Sequence, residues 1–509
     1  LSRAIHSHNR GQTPSVVTLN GTTASGQDRA IYSCYSTLTL NGAAVSAVNN
    51  AAVHGEGSGI TIDGGSISSE KGPGIVFLGG IVLEEAADLL AADNTASFKT
   101  LELDGGVTVT GDTFAVSGNG SAKEDEPYSG TIINVRDASL TGKTAHGVYQ
   151  PQVGILNVYE GAEISGASGI EIRAGELYVS GGTITGTRSE LVISDAAAGG
   201  GGGTSIDGAA IAISQHSTNK PVFVSITGGN LTGPAALYEE DVLNETANDT
   251  INAAVSGGTF TSTQEGMASV FSENMEGFVS GGEFNRDMPE TYIAGESLLY
   301  PQADGGYTVG NYDELDEVLS GGRYIAMGNK VYESLETAIA EGAVAVAPVT
   351  NSDSQTAYRT LQEAIDASDN FNNAITLLDD INEDIRVEGK SVEIDLNGHT
   401  ITGVADHTIY IAQGGNLSLV DSSESGTGTV IASVSGKAAL YNDGSVTVGM
   451  EGGEITFMRA DGTTWYTIVN DGQMNLYNAI ARNENSDDSS SVVINNLSLA
   501  RGSSAAILN

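Results

Sequence analysis

Leu38-Thr39-Leu40-Asn41-Gly42, Ile60-Thr61-Ile62-Asp63-Gly64-Gly65, Leu101-Glu102-Leu103-Asp104-Gly105-Gly106 and Ile394-Asp395-Leu396-Asn397-Gly398 are four copies of one phrase. Each is apolar-x-apolar followed by a corner of Asn or Asp and Gly. Shifted copies follow at Leu177–Gly182, Val224–Gly229 and Val255–Gly258. The corner residue recurs at Asn20, Asn41 and Asp63, in steps of 21 and 22. Asp104 stands 41 further on, which suggests two steps with a degenerate copy between them. Arg136, Tyr159 and Ser180 continue in steps of 23 and 21, and Thr227, Ser256 and Ser280 follow with longer gaps.

A second phrase lies between the markers, a small residue leading into a strand-like triplet. It includes Ala30-Ile31-Tyr32, Ala52-Val53-His54, Gly74-Ile75-Val76, Gly147-Val148-Tyr149, Gly169-Ile170-Glu171, Ala210-Ile211-Ala212 and Ala236-Leu237-Tyr238. Alternation with period 2 turns one side of each strand inward. Asn, Asp and Gly tolerate left-handed backbone and bend the chain sharply between strands. Units of about 22 residues are too short for propeller blades and lack leucine-rich spacing. They suit an all-β fold of stacked coils, each coil burying its core only against its neighbours. A β-sandwich array is the competing arrangement, but the spacing lacks regular hairpin turns.

These phrases, with Tyr358-Arg-Thr-Leu361-Gln-Glu-Ala364-Ile365 and the run to Gly403, resemble the right-handed parallel β-helix, or pectate-lyase-like, superfamily. More closely they resemble repetitive surface proteins of Gram-positive gut bacteria. The resemblance implies a right-handed parallel β-helix (β-solenoid) in two stacked or linked rods with short capping helices between them. It implies an extracellular or cell-surface location and an adhesive or structural role.

The expected division is a first rod over 1–285, its end plus a junction over 286–357, and a second helix-capped rod over 358–509. The junction holds an acidic run, Asp313–Glu317, and the helix-like Tyr332–Ile339; a second helix-like copy, Tyr358–Ile365, lies 26 residues further on. Leu, Ala and Ile line one face of each copy, with Ser334 and Thr360 as N-caps. Such a helix would seal an open coil against edge pairing. The glycine run within Ala196–Gly203 suits a loop on the side of the first rod.

Glycine fills 67 of 509 positions, about twice the usual share of roughly 7%. Sixty-four acidic against 21 basic residues give a net charge of −43. That surface repels nucleic acid and anionic lipid, and no basic patch offsets it. No apolar stretch is long enough to span a membrane as a helix. The chain opens on Leu1 within a repeat, which suggests a mature portion of a longer protein. The lone Cys34 excludes intrachain disulfides and suits a buried thiol.

No catalytic motif is complete. Gly142-Lys143-Thr144 and Gly389-Lys390-Ser391 lack the first glycine of a phosphate loop and fit turns. His6 and His8 would share one face of a strand, a weak metal pair at most, so metal ligands stay unassigned. The acidity leaves calcium dependence open, but no calcium-binding nonapeptide array supports it, and no catalytic or cofactor-binding residue is assigned. A lyase would need a base among Arg136, Lys143 and Arg173; a hydrolase would need paired carboxylates. Glu160, Glu163 and Glu171 are candidates, but exposed, solvated strand positions are by far the simpler account of them. Tyr32, Tyr149, Tyr159, Tyr178, Tyr238 and Trp465 could stack sugar rings if several formed a stripe. The expected function is a non-enzymatic, acidic stalk, adhesin or filament component of the cell surface. Its expected partners are glycans, host surface proteins or other copies meeting end to end. The alternative is a polysaccharide lyase or glycoside hydrolase.

Overall fold

In the computed structural model the phrase becomes rows of paired strands. All residues are described except 1–2, 10–13, 122, 124, 195–202, 241–249, 303–304, 312–323, 350–353, 369–373, 425–427, 484–492, 498–506 and 509. The chain divides into two compact units, Leu1–Tyr312 and Asp313–Asn509.

The first unit is built almost wholly of parallel strands. Leu19 pairs with Leu40, Leu40 with Ile62, Ile62 with Leu103, and Leu103 with Val135. The row runs on through Val158, Val179, Ile226 and Val255 to Val279. From Leu40 to Val279 every member is at most 1% exposed, so inward alternation alone builds a continuous core. The second phrase forms another row, Ile5, Ile31, Val53, Ile75, Val116, Val148, Ile170, Ile211, Leu237 and Val270. Asparagine side chains bond along the rows: at the corner Asn41 Nδ2 donates to Asn20 Oδ1 at 2.7 Å, and within the strands Asn157 donates to Asn134 at 2.8 Å.

The connectivity corrects the expected right-handed β-helix in one respect. Strands Gly59–Ser69 and Gly175–Gly186 are long, and each belongs to two ladders. Hydrogen bonds run from Gly59–Ser69 through Lys99–Asp104, Thr131–Val135 and Gly154–Val158 to Gly175–Gly186. They return through Glu163–Gly166, Ala138–Gly142 and Val107–Gly111. Eight parallel strands thus close into a barrel. The cause is local: glycines at the bend, such as Gly65 at φ +86° and Gly182 at φ +84°, let one strand turn the corner without breaking.

The 41-residue step is also not two coils. Because Ile62 pairs directly with Leu103, no degenerate copy lies between them. The extra chain carries the helix Leu83–Ala91, whose Leu83 and Ala86 pack with Phe98, Val153 and Ala174 outside the main core. The 47-residue step from Val179 to Ile226 likewise holds an insertion, with Val192–Ile193 antiparallel to Ile206–Asp207. At the far end Tyr307–Gly310 runs antiparallel to both Val279–Phe284 and Leu298–Pro301. The acidic run Asp313–Glu317 and most of the 196–203 glycine stretch lie outside the described residues.

In the second unit three parallel sheets repeat the scheme. One row reads Ile375, Ile394, Leu419, Val448 and Leu476; another reads Ile385, Ile409, Leu440, Ile468 and Ile494. Both expected helices form, Leu335–Ala340 and Leu361–Ala367, and Ser334 and Thr360 cap them. Leu361, Ala364 and Ile365 enter the same core as Ile375, Ile394 and Leu417. Among the described residues no helix is long and apolar enough to cross a membrane.

Candidate functional site

The Ser/Thr-Gly-Gly corners of the first unit stack into a groove. Gly182, Gly229, Gly258 and Gly282 all hold positive φ, and a Cβ at Gly228, Gly257 or Gly281 would meet the backbone carbonyl oxygen of the preceding row at 2.7, 2.5 and 2.5 Å. Side chains are therefore excluded from the floor. One wall is the register row Glu163, Thr183, Asn230, Thr259 and Glu283. Glu160 stands at one end, and the groove holds about 680 Å³. Beside the floor, the hydroxyls of Ser180, Thr227 and Ser280 donate to Val158, Val179 and Val255 carbonyls.

The groove joins two of the sequence candidates, Glu163 in its wall row and Glu160 beside the Gly181 corner at its end. Glu283 is four rows from Glu163, roughly 19 Å at the usual strand spacing, too far for a hydrolytic carboxylate pair. Among the described residues no lysine or arginine lines the groove. Its chemistry is that of neutral donors and acceptors repeated row by row, with carboxylates at the ends.

The remaining candidates are tied up elsewhere. Glu171 is not a solvated strand position but fully buried. Its Oε2 meets His146 Nε2 at 2.7 Å, and its Oε1 accepts from Ser205 N and Oγ at 2.8 and 2.6 Å. Burial opposes its charge, but these donors, with Arg173 nearby, hold the carboxyl below its ordinary range. Arg173 is also fully buried; its guanidinium donates to the carbonyls of Gln215, at 2.9 Å, and Gly203. Arg136 lies 4.1 Å over the Tyr159 ring and 3.7 Å from Glu102. Lys143 sits at a bend after Ala138–Gly142, its amide bonded to Gly111 O. Lys390 places its ammonium on the Ile365 and Asp366 carbonyls, at the C-terminal end of helix Leu361–Ala367 where a cation is favoured. Cys34 is buried.

The aromatics form columns whose ring faces meet each other. Tyr32 stacks on His54 at 5.1 Å with Arg3 over it, Tyr149 on Phe114 at 5.3 Å, and Tyr238 on Phe271 at 4.7 Å. Tyr149 and Tyr238 are buried, which corrects their reading as exposed platforms. Tyr178 stays exposed, edge-on to Phe223, with its hydroxyl on Glu176. In the second unit Arg386, Tyr410 and Tyr441 form a similar column beside His407, a grouping the sequence reading missed. Trp465 is exposed beside Tyr466. His6 faces Tyr32 and takes Arg3 Nη1 at 3.3 Å, an arrangement that disfavours a second cation. Among the described residues no group of three or more His, Cys, Asp or Glu side chains could hold a metal ion.

No family model, no curated protein and no solved structure matches this chain. Together with the closed eight-strand barrel, that removes the expected kinship with pectate-lyase-like proteins and with the surface proteins of gut bacteria.

Proposed function

We propose that the chain is a non-enzymatic, extracellular acidic scaffold, a stalk, adhesin or filament component built on long rows of parallel strands. The observation that carries this reading is the unbroken row from Leu19 to Val279, in which each strand pairs with the next. Repetition of this kind gives stiffness through nearest-neighbour contacts. The acidity fits the same role, since like-charged surfaces resist indiscriminate association between sheet edges. The glycine-floored groove is the face on which a glycan or protein partner would lie. The polysaccharide-processing alternative ranks second, on the ground that Glu160 and Glu163 both line the groove.

Glycan-array binding combined with a polysaccharide turnover assay tests the choice. Binding without turnover, unaltered by E160Q or E163Q, is the expected result. Turnover that disappears in either variant overturns the scaffold reading.

A further inference from the structure

The strand segment after each corner of the first unit turns two side chains outward, and in register these make two columns. The first runs from Thr23 through Ser66, Thr108, Thr183 and Asn230 to Thr259. The second runs from Ser25 through Ser68, Thr110, Thr141 and Thr185 to Thr261, and each of its nine members is serine or threonine. All nine are exposed or partly exposed. Strand preference accounts for threonine there, but not for Ser25, Ser46, Ser68 and Ser165 in the same column. The outward row on the other ladder is mixed, with Thr61, Glu102, Asn134, Asn157 and Tyr178 in turn.

Two hollows border these columns. The glycine-floored groove takes Glu163, Thr183, Asn230 and Thr259 of the first column. A second hollow of about 240 Å³ takes Ser25, Ser46 and Ser68 of the second, beside one cation and one anion, Arg3 and Glu70. We propose, on the reading that the groove takes a glycan, that the columns join both hollows into one track on which a neutral, extended glycan chain lies across the strands. The columns stand roughly 6.7 Å apart and step by roughly 4.8 Å, so nine rows span roughly 38 Å. That step is close to the advance of one sugar ring along an extended chain. A hydroxyl both donates and accepts, so each row can meet a sugar hydroxyl of either polarity. Uronates and sulfated sugars are disfavoured, because Glu160, Glu163 and Glu283 line the groove and, among the described residues, no cation there offsets them.

Affinity electrophoresis of the intact chain in gels holding glucomannan, xyloglucan or polygalacturonate tests the track. The parent should be retarded by a neutral polymer and not by polygalacturonate. Valine keeps the shape and strand preference of threonine and replaces only its hydroxyl. T183V/T185V beside the groove and T108V/T110V beyond it should each weaken retardation at least about fivefold, two hydrogen bonds being lost. T39V/T61V, on the other ladder, should change it less than about twofold. Weakening by T183V/T185V with none by T108V/T110V overturns the track and leaves the groove as a glycan site. Equal weakening by T39V/T61V, or retardation by polygalacturonate alone, also overturns it. A parent retarded by neither neutral polymer overturns both the track and the glycan reading of the groove.

Discussion

Removing the Glu383 side chain should loosen the helix that covers the second unit's core. Glu383 is not part of that helix; it reaches across from the chain after Ile381–Asn382 to its first turn. Its two oxygens accept from Leu361 N and Gln362 N, both at 2.9 Å. Thr360 Oγ1 takes Glu363 N at 3.1 Å, and Glu363 returns a bond from Thr360 N at 3.2 Å. Four amides that an isolated helix would leave open are thus all satisfied. A hydrogen bond to a charged group contributes about 1.5–3 kcal/mol, but Gln362 is half-exposed and water would recover part of it. E383A should therefore cost about 2–3 kcal/mol, and T360A about 1 kcal/mol as an ordinary cap loss. E383Q should fall between them, because its amide group turns one acceptor into a donor facing an N–H. Urea unfolding of the full chain, with the m-value unchanged, measures all three. A cost for E383A below about 0.5 kcal/mol, or below that of T360A, would refute the argument.

Other expectations follow from the same geometry. Burial, with Arg29 and Arg3 nearby, pushes His54 down to about 4, and burial with Arg173 does the same to His216. Each imidazole binds its proton less readily in the folded chain, so its stability contribution is complete above pH 6.5 and is lost as pH falls through about 4. For His54 that is at most about 3 kcal/mol, and the stability difference between H54Q and the parent should change in that direction between pH 7 and pH 4. Asn470 is fully buried, accepting from Asn442 at 2.6 Å and donating to Asn496 at 2.7 Å; N470A should cost about 2 kcal/mol in urea unfolding. E160Q and E163Q, at exposed groove positions, should each shift stability by less than about 0.5 kcal/mol in the same assay.

The rows were legible because their cause is local. The corner residues Asn20, Asn41, Asp63 and Asp104 pair with one another in register. Ser180, Thr227 and Ser256 slip by one residue, pairing with Gly228, Gly257 and Gly281, because a bulge precedes each glycine pair. Insertions obscured the rest. The helix Leu83–Ala91 does carry a signal, with Leu83, Ala86, Ala87 and Leu90 on one face and Glu84 and Glu85 in its first turn. Counting steps of 22 hid it, since 41 is so nearly two. Glu171 misled for a different reason. Its outward strand position is what alternation shows, but the cover over it comes from residues 34 positions later. The groove was unreadable because a floor of absent side chains is visible only once four glycine corners are stacked.

The account stands on rows that meet directly, with long steps as insertions rather than hidden coils. The most direct measurement is oxidation of the double variant T61C/E102C, since Thr61 and Glu102 are register partners on the outer face. Neighbouring rows put their Cα atoms roughly 4.8 Å apart, inside the range a disulfide bridges, whereas an intervening coil would double that distance. Rapid, near-complete formation of the 61–102 disulfide in the folded monomer is the predicted result. Two thiols that stay reduced under the same oxidant would contradict the account.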